Sequence, residues 1–335
     1  MQGPFAPLTD TFGRRHDYLR ISLTERCNMR CTYCMPEEGI PLRPRAHFMR
    51  QEELLAIARE FTDLGVRKIR LTGGEPLIRR DANEIISGLA QLPVELAITT
   101  NGILVDRFLH TFRGAGLRKV NVSLDSLRPD RVAAITRRDH FARVWDNIAL
   151  LRHEAFDLKI NVVLMRGTND DEIADFVQWS ATEGVHVRFI EFMPFDGNRW
   201  DIRLAVPLAE ILSRVHDRFG ADAVESLPGA ANDTARLYRI TGAKGTFGII
   251  ASVSNPFCDT CNRLRLTADG KLKNCLFSGG ESDLLAAHRA GADIRPLIVD
   301  SVLHKKRSRG GMDTLERLSD PVRHTDNRTM VAIGG

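Results

Sequence analysis

Residues 18–34 read Tyr18-Leu19-Arg20-Ile21-Ser22-Leu23-Thr24-Glu25-Arg26-Cys27-Asn28-Met29-Arg30-Cys31-Thr32-Tyr33-Cys34. The first half alternates, with Leu19, Ile21 and Leu23 on one face and Arg20, Ser22 and Thr24 on the other, the pattern of a β-strand with one apolar face. The second half spaces three cysteines as C-x3-C-x2-C. Three thiols inside eight residues can hardly serve separate purposes; a loop that wraps round brings them onto one ion or cluster. A closed zinc site takes four ligands, and an electron-transfer iron–sulfur cluster is held by four cysteines. Three thiolates on a four-iron cluster leave one iron open for a further molecule. A zinc knuckle completed by a distant histidine is the alternative use of the same residues.

Outward from this stretch, five more short apolar runs read as strands: 66–71, 94–99, 118–124, 158–164 and 185–190. Amphipathic helical patterns lie between most of them, near 51–64, 82–91, 103–114, 141–155, 170–183 and 207–219. In the clearest, Leu54, Ile57, Ala58, Phe61 and Leu64 form one stripe and Gly65 is a natural stop. Alternating strands and helices predict a parallel sheet of βα units. Six units predict an α/β fold, an incomplete (β/α)6 barrel, over residues 15–234. Residues 1–14 are expected to be a flexible lead-in. From 235 to 335 the glycine-separated runs YRITG, FGIIASV and RLRLTADGKLKNCLF predict a β-rich C-terminal extension. It carries a second cysteine set, Cys258-x2-Cys261-x13-Cys275, whose spacing alone suits zinc as well as iron–sulfur.

The inner face of the barrel is unusual. The apolar face of each strand must pack on the helices, which leaves Arg20, Lys68, Arg70, Lys159 and Arg188 pointing inward. An ordinary barrel fills that space with branched aliphatics. Burying several unpaired cations is prohibitive, so a wet cavity that receives a polyanion is expected, a triphosphate above all, since guanidinium forks match phosphate oxygens. The loops after the strands carry the cysteines, Gly73-Gly74-Glu75-Pro76, Thr99-Thr100-Asn101-Gly102, Asp125-Ser126 and Glu191-Phe192-Met193. All sit at the C-terminal strand ends, where such folds place active sites.

Composition bounds the rest. Of 335 residues 43% are hydrophobic, which excludes a disordered chain. With 47 basic and 43 acidic residues the net charge is only +4, giving no long-range pull toward nucleic acid or membrane. No apolar run nears the ~18–20 residues of a membrane span, and the opening MQGPFAPLTD has no signal-peptide core. A soluble cytoplasmic protein is expected, whose cysteines are ligands or reactive thiols rather than disulfides. The basic run His304-Lys305-Lys306-Arg307-Ser308-Arg309 is expected to be a solvated loop.

Cys27-x3-Cys31-x2-Cys34 after a first strand, with Tyr33 beside the last cysteine and GGEP after the second strand, resembles the radical S-adenosylmethionine (SAM) superfamily. SLTERCNMRCTYCMP, IRLTGGEPLIRRD, ITTNG, NVSLDSL, RFIEFM, NPFCDTCNRLRLTADGKLKNCLFS and the terminal Gly334-Gly335 are similar to its members that cyclise GTP in molybdenum-cofactor biosynthesis. The resemblance runs from about residue 14 to the end.

It implies two [4Fe-4S] clusters, on Cys27, Cys31 and Cys34 and on Cys258, Cys261 and Cys275, with SAM bound at the first and the guanine end of GTP at the second. It further implies reductive cleavage of SAM, removal of the GTP C3′ hydrogen, and joining of C3′ to C8 in 3′,8-cyclo-7,8-dihydroguanosine triphosphate. SAM contacts would be Tyr33, Gly74, Ser123 and Met193. GTP contacts would be Arg20, Arg70, Thr99, Lys159, Arg188, Arg263, Leu264 and Arg265. Gly334 and Gly335 would insert toward the site and assist the radical chemistry. A homodimer, a flavodoxin- or ferredoxin-like electron donor, and passage of the product to cyclic pyranopterin monophosphate synthase are implied as well. Two rivals stand beside this. A peptide-modifying radical SAM enzyme with an auxiliary cluster explains both triads but not the inward cations. A zinc-stabilised binding module would be colourless and free of iron.

Overall fold

The computed structural model describes residues 7–41, 43–320, 324 and 327–334. Six parallel strands form its centre: β1 (Tyr18–Ser22), β2 (Lys68–Thr72), β3 (Glu95–Thr100), β4 (Lys119–Ser123), β5 (Asp157–Leu164) and β6 (His186–Glu191). They stand side by side in chain order. In β5 burial alternates residue by residue, with Leu158, Ile160, Val162 and Leu164 buried. The buried face meets the outer helices α1 (Gln51–Asp63), α2 (Ala82–Leu89), α3 (Val105–Gly114), α4 (Pro129–Thr136), α5 (Phe141–His153), α6 (Ile173–Glu183) and α7 (Leu208–Phe219). On α1 the predicted stripe is the buried one, from Leu54 to Phe61, and each such Leu, Ile or Phe contributes roughly 1.5–3 kcal/mol. Gly65, at φ +98°, ends that segment in a conformation open to glycine. Helix α4, which begins on Pro129, has no counterpart among the sequence expectations.

The barrel does not close. The C-terminal strands take up both of its edges instead of building a sheet of their own. Beyond β6 come β9 (Thr246–Ile250), β8 (Arg236–Ile240) and β7 (Val224–Leu227). Beyond β1 come β10 (Arg263–Leu266), β11 (Lys271–Lys273) and β12 (Ser282–Asp283). Both β9 and β10 run parallel to the barrel strands they join. An open parallel sheet has two rows of unmatched N–H and C=O groups, and these strands pair them. Helices α8 (Leu284–Arg289), α9 (Arg295–Leu303), α10 (Leu315–Ser319) and α11 (Met330–Ile333) complete the chain. No helix of the described residues is long and apolar enough to cross a membrane.

Residues 1–6 of the expected flexible lead-in lie outside the described residues, and from Pro7 onward the segment makes defined contacts. Leu8 is buried, and the Asp10 carboxylate accepts from the backbone N–H of Phe12 and Arg14, from Arg14 Nε at 2.6 Å and from His16 Nε2 at 3.0 Å. A buried carboxylate that answers so many donors fixes the segment.

Candidate active site

The first cysteine loop leaves β1 and is tied to three other strand ends. Gly74 and Glu75 donate their N–H groups to the carbonyls of Thr24 and Arg26, at 2.7 and 2.8 Å. A Cβ on Gly73, at φ +151°, would stand 2.6 Å from Thr24 O, and one on Gly74 would stand 2.2 Å from Arg26 O. Two glycines are therefore required where GGEP meets the cysteine loop. Glu75 is buried and accepts from Leu77 N–H, Thr100 Oγ1 and Asn101 N–H. Burial nevertheless pushes its carboxyl up to about 7. Asn101 in turn donates to Asn28 Oδ1 at 2.7 Å, and Tyr33 Oη donates to Asp125 Oδ2 at 2.8 Å.

Within the loop, Met29 N–H donates to Cys27 Sγ at 3.4 Å. Burial pushes Cys27 up to about 11 and Cys34 to about 12. Cys31 also lies well above the usual thiol range, by burial first and then through Asp125, Cys34 and Cys27. The thiols feel one another, yet no three His, Cys, Asp or Glu side chains among the described residues are gathered tightly enough to chelate a single metal ion. An all-cysteine donor set is the one an iron–sulfur cluster takes, each thiolate on its own iron, and the residues present fit that group.

Below this rim lies a cavity of about 290 Å³ whose wall includes Arg20, Lys68, Arg70, Thr99, Asn121, Lys159, Asn161, Arg188, Arg263 and Arg265. Register puts Arg265, Arg20 and Arg70 side by side on three adjacent strands. Guanidinium groups on adjacent strands repel one another, and the low dielectric of a buried wall strengthens that repulsion. Burial, with Arg265 next, holds Arg20 well below the usual guanidinium range, and burial lowers Arg265 and Arg188 to about 10. Partial satisfaction comes from uncharged groups: Arg70 donates to Tyr18 Oη and Ile98 O, and Arg188 to Asn161 Oδ1. At the N-terminal ends of β2, β3 and β4, Lys68 and Lys119 share Glu95. The wall is built to receive an anion.

The second triad forms the opposite part of the same wall, through Cys258, Cys261 and Cys275. Arg263 Nη1 lies 3.8 Å from Cys261 Sγ. Burial raises the Cys261 thiol, but Lys305 and Arg263 outweigh it, and the net shift is downward. The basic run is corrected in part here: His304, Lys306 and Arg307 are exposed as expected, but Lys305 and Arg309 are buried. Lys305 Nζ lies 3.6 Å from Cys261 Sγ, and Arg309 N–H donates to Cys258 Sγ at 3.4 Å. Arg14 ties this strap down, donating to the carbonyls of Cys258, Lys306 and Arg307.

Of the site residues predicted above, the structure places Arg20, Arg70, Thr99, Lys159, Arg188, Arg263 and Arg265 on one cavity with Met193. Ser123 ends β4 on the rim with Gly74 and Tyr33. The Leu264 side chain is fully buried in the core on the other face of β10, so alternation turns it away from the cavity. Cys27, Cys31 and Cys34 do not line this cavity. Gly334 reaches the C-terminal ends of β1 and β2, on the rim: a Cβ there would stand 2.6 Å from Thr72 Oγ1 and 2.8 Å from Ser22 Cβ. Gly335 lies outside the described residues. Sequence reasoning missed Tyr18, although its parity with Arg20 announces it. Nothing local announces Lys305, Arg309 or Arg14.

Comparison with known proteins agrees with this geometry. The family profile described as Radical SAM superfamily matches residues 21–180, and Molybdenum Cofactor Synthesis C matches residues 185–310. The chain is 44% identical to the mitochondrial GTP 3′,8-cyclase of Arabidopsis thaliana, over 98% of this chain and 83% of that protein. It is also 44% identical to the GTP 3′,8-cyclase of Moorella thermoacetica, over 85% and 88%. Molybdenum cofactor biosynthesis protein 1 of Drosophila melanogaster is 48% identical over 89% of this chain and 53% of its own length. The chain thus spans about half the length of several curated relatives it matches. In fold it is similar to Streptococcus suis SuiB bound to S-adenosylmethionine, with TM-score 0.62 and 16% identity over 86% of this chain and 67% of that one. The chain belongs to the radical SAM superfamily and, within it, to the family of the GTP 3′,8-cyclases.

Proposed function

We propose that this chain converts GTP to 3′,8-cyclo-7,8-dihydroguanosine triphosphate in molybdenum cofactor synthesis. The observation that carries the reading is the register row Arg265, Arg20 and Arg70 facing a cavity bounded by a second cysteine triad. A triphosphate brings about four negative charges, which offset the mutual repulsion of this wall. Arg70 and Arg188, already held by Tyr18, Ile98 O and Asn161, meet it with little loss of side-chain freedom.

Cys27, Cys31 and Cys34 would hold a [4Fe-4S] cluster. When bound, it supplies the one-electron chemistry that turns SAM into a hydrogen-abstracting radical. Glu75 and the two glycines set that loop against β2 and β3, and Asp125 orients Tyr33 beside Cys34. Cys258, Cys261 and Cys275 would hold a second cluster at the base end of the nucleotide. Gly334, packed on Ser22 and Thr72 at the rim, excludes water from the barrel. A cytoplasmic homodimer, a flavodoxin- or ferredoxin-like electron donor and a downstream cyclic pyranopterin monophosphate synthase belong to the same reading.

The test is anaerobic incubation of iron-reconstituted protein with GTP, SAM and dithionite, followed by mass spectrometry. The expected result is an isomer of GTP together with matching amounts of 5′-deoxyadenosine and methionine. SAM consumed with GTP unchanged would count against the reading.

A further inference from the structure

Lys305 is 3% exposed. Its ammonium has two acceptors, Arg263 O at 2.8 Å and Cys261 Sγ at 3.6 Å. A buried ammonium is costly unless an anion answers it, and of these two acceptors only the sulfur can carry a full negative charge. Lys305 is not on the cavity wall, where Cys261 and Arg263 are. It therefore reaches the sulfur from the protein side and is not placed to bind a substrate. The strap around it is rigid: Arg309 N–H donates to Cys258 Sγ, and Arg14 donates to the carbonyls of Lys306 and Arg307.

We propose that Lys305 is the counter-charge of the iron–sulfur centre at the second triad, a positioning residue that anchors Cys261 and raises the reduction potential of that centre. The inference rests on the reading that Cys258, Cys261 and Cys275 hold such a centre. One-electron reduction of the centre adds one negative charge to it. A fixed cation beside a ligand sulfur stabilises the reduced form more than the oxidised one, and hydrogen bonds to the sulfurs act in the same direction.

The experiment uses the full chain with Cys27, Cys31 and Cys34 replaced by alanine, so that only the second triad can bind iron. Iron and sulfide content and the potential, from a redox titration followed by electron paramagnetic resonance, are compared for Lys305, Lys305→Met and Lys305→Arg. The expected result is a shift to more negative potential in Lys305→Met, or loss of its iron, with Lys305→Arg close to the parent. An unchanged potential in Lys305→Met at full iron content would overturn the proposal. So would loss of iron in both variants, since a site that rejects either cation reads shape rather than charge. A parent that binds no iron would instead overturn the reading of the second triad.

Discussion

Arg265 Nη1 donates a 2.8 Å hydrogen bond to the carbonyl oxygen of Gly334, so one guanidinium serves both the cavity wall and the end of the chain. Arg265→Ala is expected to weaken GTP binding roughly 10- to 100-fold, the scale of a charged hydrogen bond, and SAM binding far less. Anaerobic calorimetry with each ligand checks this. Equal losses for both would mean general misfolding.

Gly74→Ala is expected to displace the cysteine loop. The added Cβ meets backbone, Arg26 O at 2.2 Å and Arg26 C at 2.6 Å, which cannot swing aside. A cost of about 2–4 kcal/mol is expected, together with loss of iron from the first triad. Gly114→Ala is the control. Nothing lies within 4 Å of its added Cβ, in the last turn of α3, and stabilisation of about 0.4–1 kcal/mol is expected. Thermal melts and iron analysis separate the two.

Glu53 joins α1 to α8. Its carboxylate accepts from Arg289 Nε and Nη2, at 2.8 and 3.0 Å, and from the backbone N–H of Arg50 at 2.8 Å. The Arg289 hydrogen bonds, foremost, hold its carboxyl at about 2 against an ordinary 4.5. Stability from this group is full above the ordinary value and is lost as pH falls through the folded one. Glu53→Gln is expected to cost about 1–2 kcal/mol near neutral pH, toward the lower end because Arg289 is partly exposed. The gap from the parent should narrow below the ordinary value and close only as pH falls through about 2. Urea midpoints across that range measure it.

Alanine at Cys27, Cys31 or Cys34 is expected to abolish release of 5′-deoxyadenosine from SAM. Cys275→Ala is expected to keep part of that release while losing turnover of GTP, because Cys275 lies on the cavity wall and the first triad does not. Chromatography of both products distinguishes the two triads. Normal 5′-deoxyadenosine yield from Cys31→Ala would refute the assignment.

The six barrel strands were legible because alternation in runs such as 158–164 admits one packing face, and the cavity cations followed from parity on those strands. Tyr18 obeys the same rule and was readable. The C-terminal strands were legible as strands but not as edges, since pairing of Arg263–Leu266 with Tyr18–Ile21 leaves no local trace. Lys305 and Arg309 were misread for a related reason. A run of basic residues looks solvated until something distant, here thiols and backbone carbonyls, gives it a reason to be buried. Arg14 lay in a segment without periodicity, and its three carbonyl acceptors come from residues 258, 306 and 307.

The hydrogen bond from Asn262 to Asp17 spans 245 residues, beside the seam where β10 meets β1. During synthesis β1 leaves the ribosome long before β10 and waits with a bare edge until the chain has been made as far as Leu266. Such an edge is a template for the wrong partner, and closure over so long a separation is slow. A nascent chain cut short before residue 266 would lose more than its second triad. It would carry an unfinished seam into the cell, and aggregation would be the first symptom.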